Sequence, residues 1–197
     1  MINYVALKNV LDRVFAVLLL LTLLPLLIAL CCYVAVVLKG TPIFVQERIG
    51  YKERTFKLLK FKTMRGTVGA QLRKDGDRVF PALSFLRRTA LDELPQLVNI
   101  LKGEMSFVGP RPLLKEYLEF YTLRQRKRHL VKPGLTGLAQ VKGANALSWR
   151  KRLLYDTIYV KLFSGRLDLI IVGLTLKQII NPHREELFSE PLGVKEE

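Results

Sequence analysis

Hydrophobic positions are spread very unevenly along the chain. From Val14 to Leu38 it reads VFAVLLLLTLLPLLIALCCYVAVVL, twenty-five residues without a charge. As a helix this run would be roughly 37 Å long, against about 30 Å for the hydrocarbon core of a bilayer. It is too long for the apolar part of a secretory leader, and no small-x-small cleavage site follows it. A membrane-embedded segment is therefore expected. Pro25 stands near its centre, where it removes a backbone donor and clashes with the preceding turn. Each half is then about a dozen residues, the length of a re-entrant or interfacial segment. Lys8 and Arg13 precede the run, and Lys39, Arg48, Lys52 and Arg54 follow it. Positive charge on both flanks suits a hairpin with both ends in the cytoplasm. A kinked spanning helix fits the same pattern, since transmembrane helices tolerate proline. The residues alone leave both topologies open.

Downstream the periodicity changes. PIFVQERIG (42–50) and TFKLLKF (55–61) alternate partly between apolar and polar, with Tyr-Lys-Glu-Arg between them, so a small β-hairpin is expected. Residues 66–80, with three glycines and many charges, read as a loop, and a helix follows from Ala82 to Arg88. Leu94, Leu97, Val98 and Leu101 fall at i, i+3, i+4 and i+7 and predict a helix that Gly103 stops. Pro95 is tolerated only in a first turn, which places the start near Asp92 or Glu93. Helices are also expected over Leu113–Leu130, Ser148–Phe163 and Leu167–Ile180, with a Pro-Gly-Leu-Thr-Gly turn at 133–137. The last of these helices is apolar almost all round and too short to cross a bilayer, so it is either buried or interfacial. The fold class expected is α+β and predominantly helical, with a re-entrant helix broken at Pro25, a small hairpin and interfacial amphipathic helices.

Composition adds a constraint. Among 197 residues, 32 Lys and Arg face 17 Asp and Glu, a formal net charge of +15. That surplus calls for an anionic partner: nucleic acid, anionic lipid or a phosphorylated small molecule. Half of the residues are apolar, which excludes a disordered chain. Cys31 and Cys32 are neighbours in the apolar run and read as filler, and neither His129 nor His183 has a partner at metal-ligand spacing. There is no G-x-S-x-G, P-loop or G-x-G-x-x-G pattern. What remains is hard oxygen chemistry, which suits Mg²⁺ together with phosphate.

The best oxygen ligands are Asp92 and Glu93. Arg87 and Arg88 precede them, Arg111 follows the Gly109-Pro110 turn, and Lys60, Lys62 and Arg65 end the hairpin. A carboxylate pair among cations is a layout that phosphoryl chemistry uses: arginines grip phosphates and a carboxylate can attack phosphorus. The simpler alternative is that the pair caps a helix and Arg88 neutralises it.

Three long stretches resemble the monotopic phosphoglycosyl transferases, or bacterial sugar transferase family: LDELPQLVNILKGEMSFVGPRP (91–112), PIFVQERIG with FKTM (42–50 and 61–64), and KPGLTGLAQVKG (132–143). The likeness runs from the apolar segment to about residue 180 and is closest to the minimal catalytic form. It implies transfer of a phosphosugar from a UDP-sugar to polyprenyl (undecaprenyl) phosphate, with release of UMP, as the first membrane step of glycoconjugate assembly. Asp92 would be the nucleophile that forms a covalent phosphosugar intermediate. Glu93, with Asp92, would hold Mg²⁺. Arg111 and Pro110 match the family's nucleotide or phosphate contact, and Lys62, Arg65, Arg88 and Asp156 are further candidates. Asp168 is expected to cap a helix.

The resemblance also implies a re-entrant anchor over 1–40, a cytoplasmic membrane-surface catalytic domain over 41–185 and a tail over 186–197, in the bacterial inner membrane. Two departures stand out. Leu24 replaces the usual serine before Pro25, with Thr22 as a nearby substitute, and Ala144 replaces a common arginine, with Arg150 as a stand-in. Expected partners are the UDP-sugar, the polyprenyl phosphate and anionic membrane lipids, not nucleic acid; a homodimer is left open. The competing function is a non-enzymatic basic protein that binds anionic lipid at the membrane surface.

Overall fold

The computed structural model describes residues 2–64, 80–143 and 146–180. Arg65, residues 66–79 of the expected loop, Ala144 and the 186–197 tail lie outside the described residues. Helices α1 (Ile2–Thr22) and α2 (Leu24–Leu38) meet at a bend of 66°. Pro25 causes it, because it has no N–H for the Leu21 carbonyl and its ring crowds the turn before it. Leu23 takes up the change, at φ −93° and ψ 2°. The Thr22 hydroxyl donates to the Leu18 and Leu19 carbonyls at 2.9 and 3.3 Å, not to the Leu21 carbonyl that the proline leaves open. Among the described residues no single helix is long and apolar enough to cross a membrane; the bent pair together is.

The hairpin forms as expected: β1 (Ile43–Ile49) pairs antiparallel with β2 (Thr55–Phe61), Ile43 opposite Phe61 and Ile49 opposite Thr55. Phe56 and Leu58 project from β2 into a core shared with Ala16 of α1 and with Leu97 and Ile100 of the next long element. A second cluster packs Leu30 and Val34 of α2 on Phe61, Leu83 and Leu86. Both arms of the bent pair are therefore fastened to one body. Their outward faces leave Val10, Phe15, Leu18, Leu21 and Val36 exposed.

After α3 (Ser84–Arg88) the chain turns sharply at Ala90, whose φ of 55° lies in the left-handed region. A 3₁₀ turn, Leu91–Glu93, comes next, and α4 spans Gln96–Lys102 with Gly103 as its left-handed stop at φ 80°. The expected helix therefore starts later than Asp92. Pro95 sits at its N-cap, and the carboxylates occupy the turn before it without any side-chain capping bond.

Two further elements differ from expectation. Leu113–Leu130 is not one helix: a 3₁₀ segment, Lys115–Phe120, stops where Tyr121 is extended. A capping box between Thr122 and Gln125 then starts α5 (Leu123–Arg126), followed by another 3₁₀ turn. The expected turn at 133–137 contains β4 (Gly134–Thr136), which pairs parallel with β3 (Ser106–Val108). Backbone contact leaves no room for side chains here. A methyl group on Gly134 would lie 2.1 Å from the Gly109 nitrogen, and one on Gly137 would lie 2.1 Å from the Gly109 oxygen.

The chain closes with α6 (Leu138–Val141), α7 (Trp149–Lys161, capped by Ser148) and α8 (Gly165–Ile180). Asp168 does not cap α8; the Ser164 hydroxyl takes the Leu167 N–H. Asp168 turns inward and accepts from Tyr4, Lys8 and Tyr159 at 2.6, 2.5 and 2.7 Å, which ties the start of α1 to α7 and α8. The opposite face of α8 is apolar and open, with Leu169 75% and Ile180 76% exposed.

Candidate active site

Asp92 is 7% exposed, yet its carboxylate has no hydrogen bond or ion pair among the described residues. Burial is the main cause that pushes its pKa up to about 6, and the adjacent Glu93 adds to the rise. Lys60, Arg87 and Arg111 act in the opposite direction. Glu93 is held differently: Arg111 Nη2 donates to its Oε1 at 2.6 Å. The pair thus divides into one engaged carboxylate and one that is buried and uncommitted.

The cations come from separate elements. Lys60 follows Phe56 and Leu58 on the same face of β2, so its stem continues the inward row and its charge reaches Asp92. Burial lowers its pKa, while Asp92 pulls the other way. Arg87 projects from the last turn of α3. Arg48, on β1, donates to the Pro112 carbonyl at 3.4 Å and to Gln46 at 2.6 Å, and burial followed by repulsion from Arg111 lowers its pKa.

Arg111 is positioned from below. The three glycines bring strand β4 against Gly109, and the Gly134 N–H donates to the Pro110 carbonyl at 3.0 Å. Arg128 Nη2 donates to the Arg111 carbonyl at 2.6 Å, while its Nε and Nη2 hold Asp156 Oδ2 at 3.0 and 2.8 Å. Arg128 and Asp156 are 2% and 4% exposed. Asp156 therefore supports the Pro-Arg-Pro segment through Arg128. His129 is buried alongside, its Nδ1 3.1 Å from the Gly50 carbonyl, and burial takes its pKa down to about 4, so it is neutral at pH 7.

The structure thus gathers Asp92, Glu93, Arg111 and Pro110 in one region. Arg88 lies exposed on α3 beside Arg87, whose charge acts on Asp92. Lys62 lies just beyond β2, two residues after Lys60, whose charge acts on Asp92. Arg48 and Arg128 were not singled out in the sequence. The alternation of β2 points to Lys60, but nothing local marks Arg128, which stands in a basic block with Arg124, Arg126 and Lys127.

Hard carboxylate oxygens at Asp92 and Glu93 suit Mg²⁺. Among the described residues no group of three or more His, Cys, Asp or Glu side chains could cage a metal. An ion here would share its coordination with ligand phosphate and water, as Mg²⁺ commonly does.

A buried uncommitted carboxylate, a second carboxylate beside it and a ring of cations form a site suited to phosphoryl transfer. The chain matches the model of the bacterial sugar transferase family over residues 3–182, and it belongs to that family. It is 46% identical over 145 residues to the uncharacterized sugar transferase EpsL of Bacillus subtilis, covering 72% of this chain and 71% of that one. It is 38% identical over 190 residues to the UDP-glucose:undecaprenyl-phosphate glucose-1-phosphate transferase of Xanthomonas campestris, covering 90% of this chain but 39% of that protein. A third relative is the exopolysaccharide production protein ExoY of Sinorhizobium fredii, 37% identical over 191 residues, with 87% of this chain and 84% of the relative covered.

Proposed function

We propose that this chain transfers a sugar phosphate from a UDP-sugar to polyprenyl phosphate. The observation that carries this reading is Asp92: among the described residues its carboxylate is in no salt bridge, while the charges of Lys60, Arg87 and Arg111 act on it. The named activity of the Xanthomonas relative supports the same donor and acceptor classes.

In the first step an Asp92 oxygen attacks the β-phosphorus of the UDP-sugar. A new P–O bond forms, the bond from that phosphorus to the bridging oxygen breaks, and UMP leaves with the electron pair. In the second step an oxygen of the polyprenyl phosphate attacks the same phosphorus. The acyl-phosphate P–O bond breaks and frees Asp92. Splitting the transfer lets two bulky anionic substrates use one carboxylate in turn. Arg111 and Lys60 hold the diphosphate oxygens, and Glu93 keeps Arg111 in reach of them. Mg²⁺ bound by Asp92 and Glu93 would offset diphosphate charge.

The bent helix pair is read as a re-entrant anchor on the cytoplasmic face. Two attachments support this: Tyr4 and Lys8 near the start of α1 bind Asp168, and the Tyr33 hydroxyl on α2 donates to the Ala82 carbonyl at 2.9 Å. A spanning helix would have to release one of these anchorages. The decisive assay mixes detergent-purified protein, Mg²⁺, undecaprenyl phosphate and a panel of UDP-sugars and measures UMP. Release with at least one sugar, abolished by Asp92→Asn, is expected. No release with any sugar would return the chain to a non-enzymatic lipid-binding role.

A further inference from the structure

At the other end of α4 from Asp92, cations from two distant segments meet around Gly103. A methyl group added to this glycine would lie 2.8 Å from Arg13 Nη2 and 3.5 Å from Lys132 Nζ. Two charged tips therefore converge on the same small volume. Neither side chain makes an ion pair or hydrogen bond among the described residues. Lys132 registers the crowding: burial and then the Arg13 charge lower its pKa, Lys8 adds to the repulsion, and Asp12 opposes it.

Lys8 is committed to Asp168 at 2.5 Å and stands 3.9 Å from Asp12. Asp12 is 7% exposed and its Oδ2 has no hydrogen-bond partner. Lys8 thus engages the nearby carboxylates, while Arg13 and Lys132 pair with neither of them among the described residues. Position along α1 says what could pair with them. Arg13 is the last charged residue before the uncharged run that starts at Val14, and Val14, Phe15 and Leu18 are exposed beyond it. With α1 in the membrane, Arg13 and Lys132 stand at the depth of the headgroups, where basic side chains are attracted to anionic lipid.

We propose that Arg13 and Lys132, brought together at Gly103, bind the phosphodiester of an anionic membrane phospholipid. A phosphodiester brings one negative charge and two free oxygens, one for each cation. Glycine at 103, already favoured by its φ of 80°, also leaves open the space that the phosphate needs. The site is separate from the reaction centre, since the seven residues of α4, about 10 Å of helix, lie between them. This proposal rests on the membrane reading of α1.

Native mass spectrometry of the full chain in mild detergent, with phosphatidylglycerol, phosphatidylcholine or undecaprenyl phosphate added, tests it. The expected result is one retained phosphatidylglycerol, preferred over phosphatidylcholine. Retention should fall at least tenfold in Arg13→Gln/Lys132→Gln and persist in the charge-conserving pair Arg13→Lys/Lys132→Arg. It should also persist in Arg124→Gln/Lys151→Gln, which removes equal charge elsewhere. Equal retention of the two phospholipids, or wild-type retention by Arg13→Gln/Lys132→Gln, would overturn the site. Displacement of phosphatidylglycerol by undecaprenyl phosphate would overturn it too, in favour of an acceptor site. Vesicle flotation separates the underlying reading: a chain that floats with no vesicle refutes the membrane placement, and one that floats without selective retention refutes only the headgroup site.

Discussion

Arg128 donates a 2.6 Å hydrogen bond to the main-chain carbonyl of Arg111, and the same guanidinium is held by Asp156 from α7. A buried ion pair thus fixes the backbone of a residue whose own side chain is half exposed and reaches Glu93. Such pairs are expensive to break, because the surviving charge stays buried. Asp156→Asn should lower unfolding stability by about 3–5 kcal/mol. Adding Arg128→Met removes the stranded charge and should restore much of that loss. UMP release should nevertheless stay depressed in the double variant, mainly in kcat, because the Arg111 carbonyl has lost its partner. Recovery of both stability and kcat would show that the pair has no role in placing Arg111.

Asp92 links activity and stability to pH in opposite senses. A nucleophilic carboxylate must be ionised, so kcat/KM should rise with an acid limb near pH 6, well above the ordinary carboxylate value of 3.8. The folded-state pKa is raised, so the folded chain binds this proton more tightly than the unfolded chain does. Asp92 therefore favours folding at low pH, and that contribution is lost as pH rises from 3.8 to about 6. Asp92→Asn should be inactive and more stable than the parent at pH 7.5, with the gap closing toward pH 4. Thermal unfolding at a series of pH values measures this; a gap that does not change with pH would contradict a raised pKa.

The Tyr159 hydroxyl lies 2.7 Å from Asp168 Oδ1 and 3.0 Å from the Val108 carbonyl, sharing one proton between two acceptors. Tyr159→Phe preserves the packing in the cluster with Val108 and Ile171 but takes the donor from Asp168 Oδ1, while the Val108 carbonyl keeps only the Ser106 hydroxyl at 3.1 Å. A loss of about 1–3 kcal/mol is expected. Tyr155→Phe, on the same helix but only partly buried, should cost much less. Comparable losses in denaturant titration would mean that the Asp168 hub adds little to stability.

The elements legible in the sequence were those whose signal is local. Alternation marked both strands of the hairpin, Ser148 marked the start of α7, Pro25 marked the break, and the 3.6 period marked α4. What escaped depends on distant partners. Strand β4 is three residues long and exists because Gly109, Gly134 and Gly137 allow two backbones to touch. Arg128 is buried because Asp156, 28 positions away, meets it. Asp168 looked like a cap until Tyr4, 164 positions away, was seen to reach it. At the candidate site the acidic pair was evident, but which basic residues bring their charge to it was not. Lys60, from the inward row of β2, and Arg87, from the end of α3, bring their charges to Asp92 from elements distant in sequence from each other.

The remaining question is the path of the bent pair. The 66° bend at Pro25 leaves two arms packed on the same body, α1 through Ala16 and α2 through Leu30 and Val34. If the arms enter and leave on one face, single cysteines at Ala6 and Arg54, in a background lacking Cys31 and Cys32, should both be shielded from a membrane-impermeant thiol reagent applied to intact cells. Both should react once the inner membrane is opened. Labelling of Ala6→Cys alone in intact cells would mean that the pair spans the bilayer. Pro25→Ala adds a second measurement. It restores the donor for the Leu21 carbonyl and favours one straight helix. A straight helix would pull either the Tyr4 and Lys8 contacts or the Tyr33 contact away from the body, so Ala6→Cys should become accessible in a fraction of molecules. UMP release should fall in proportion to that fraction, because the displaced arm no longer supports the site. A protected cysteine together with full activity in Pro25→Ala would mean that packing, not the proline, sets the bend.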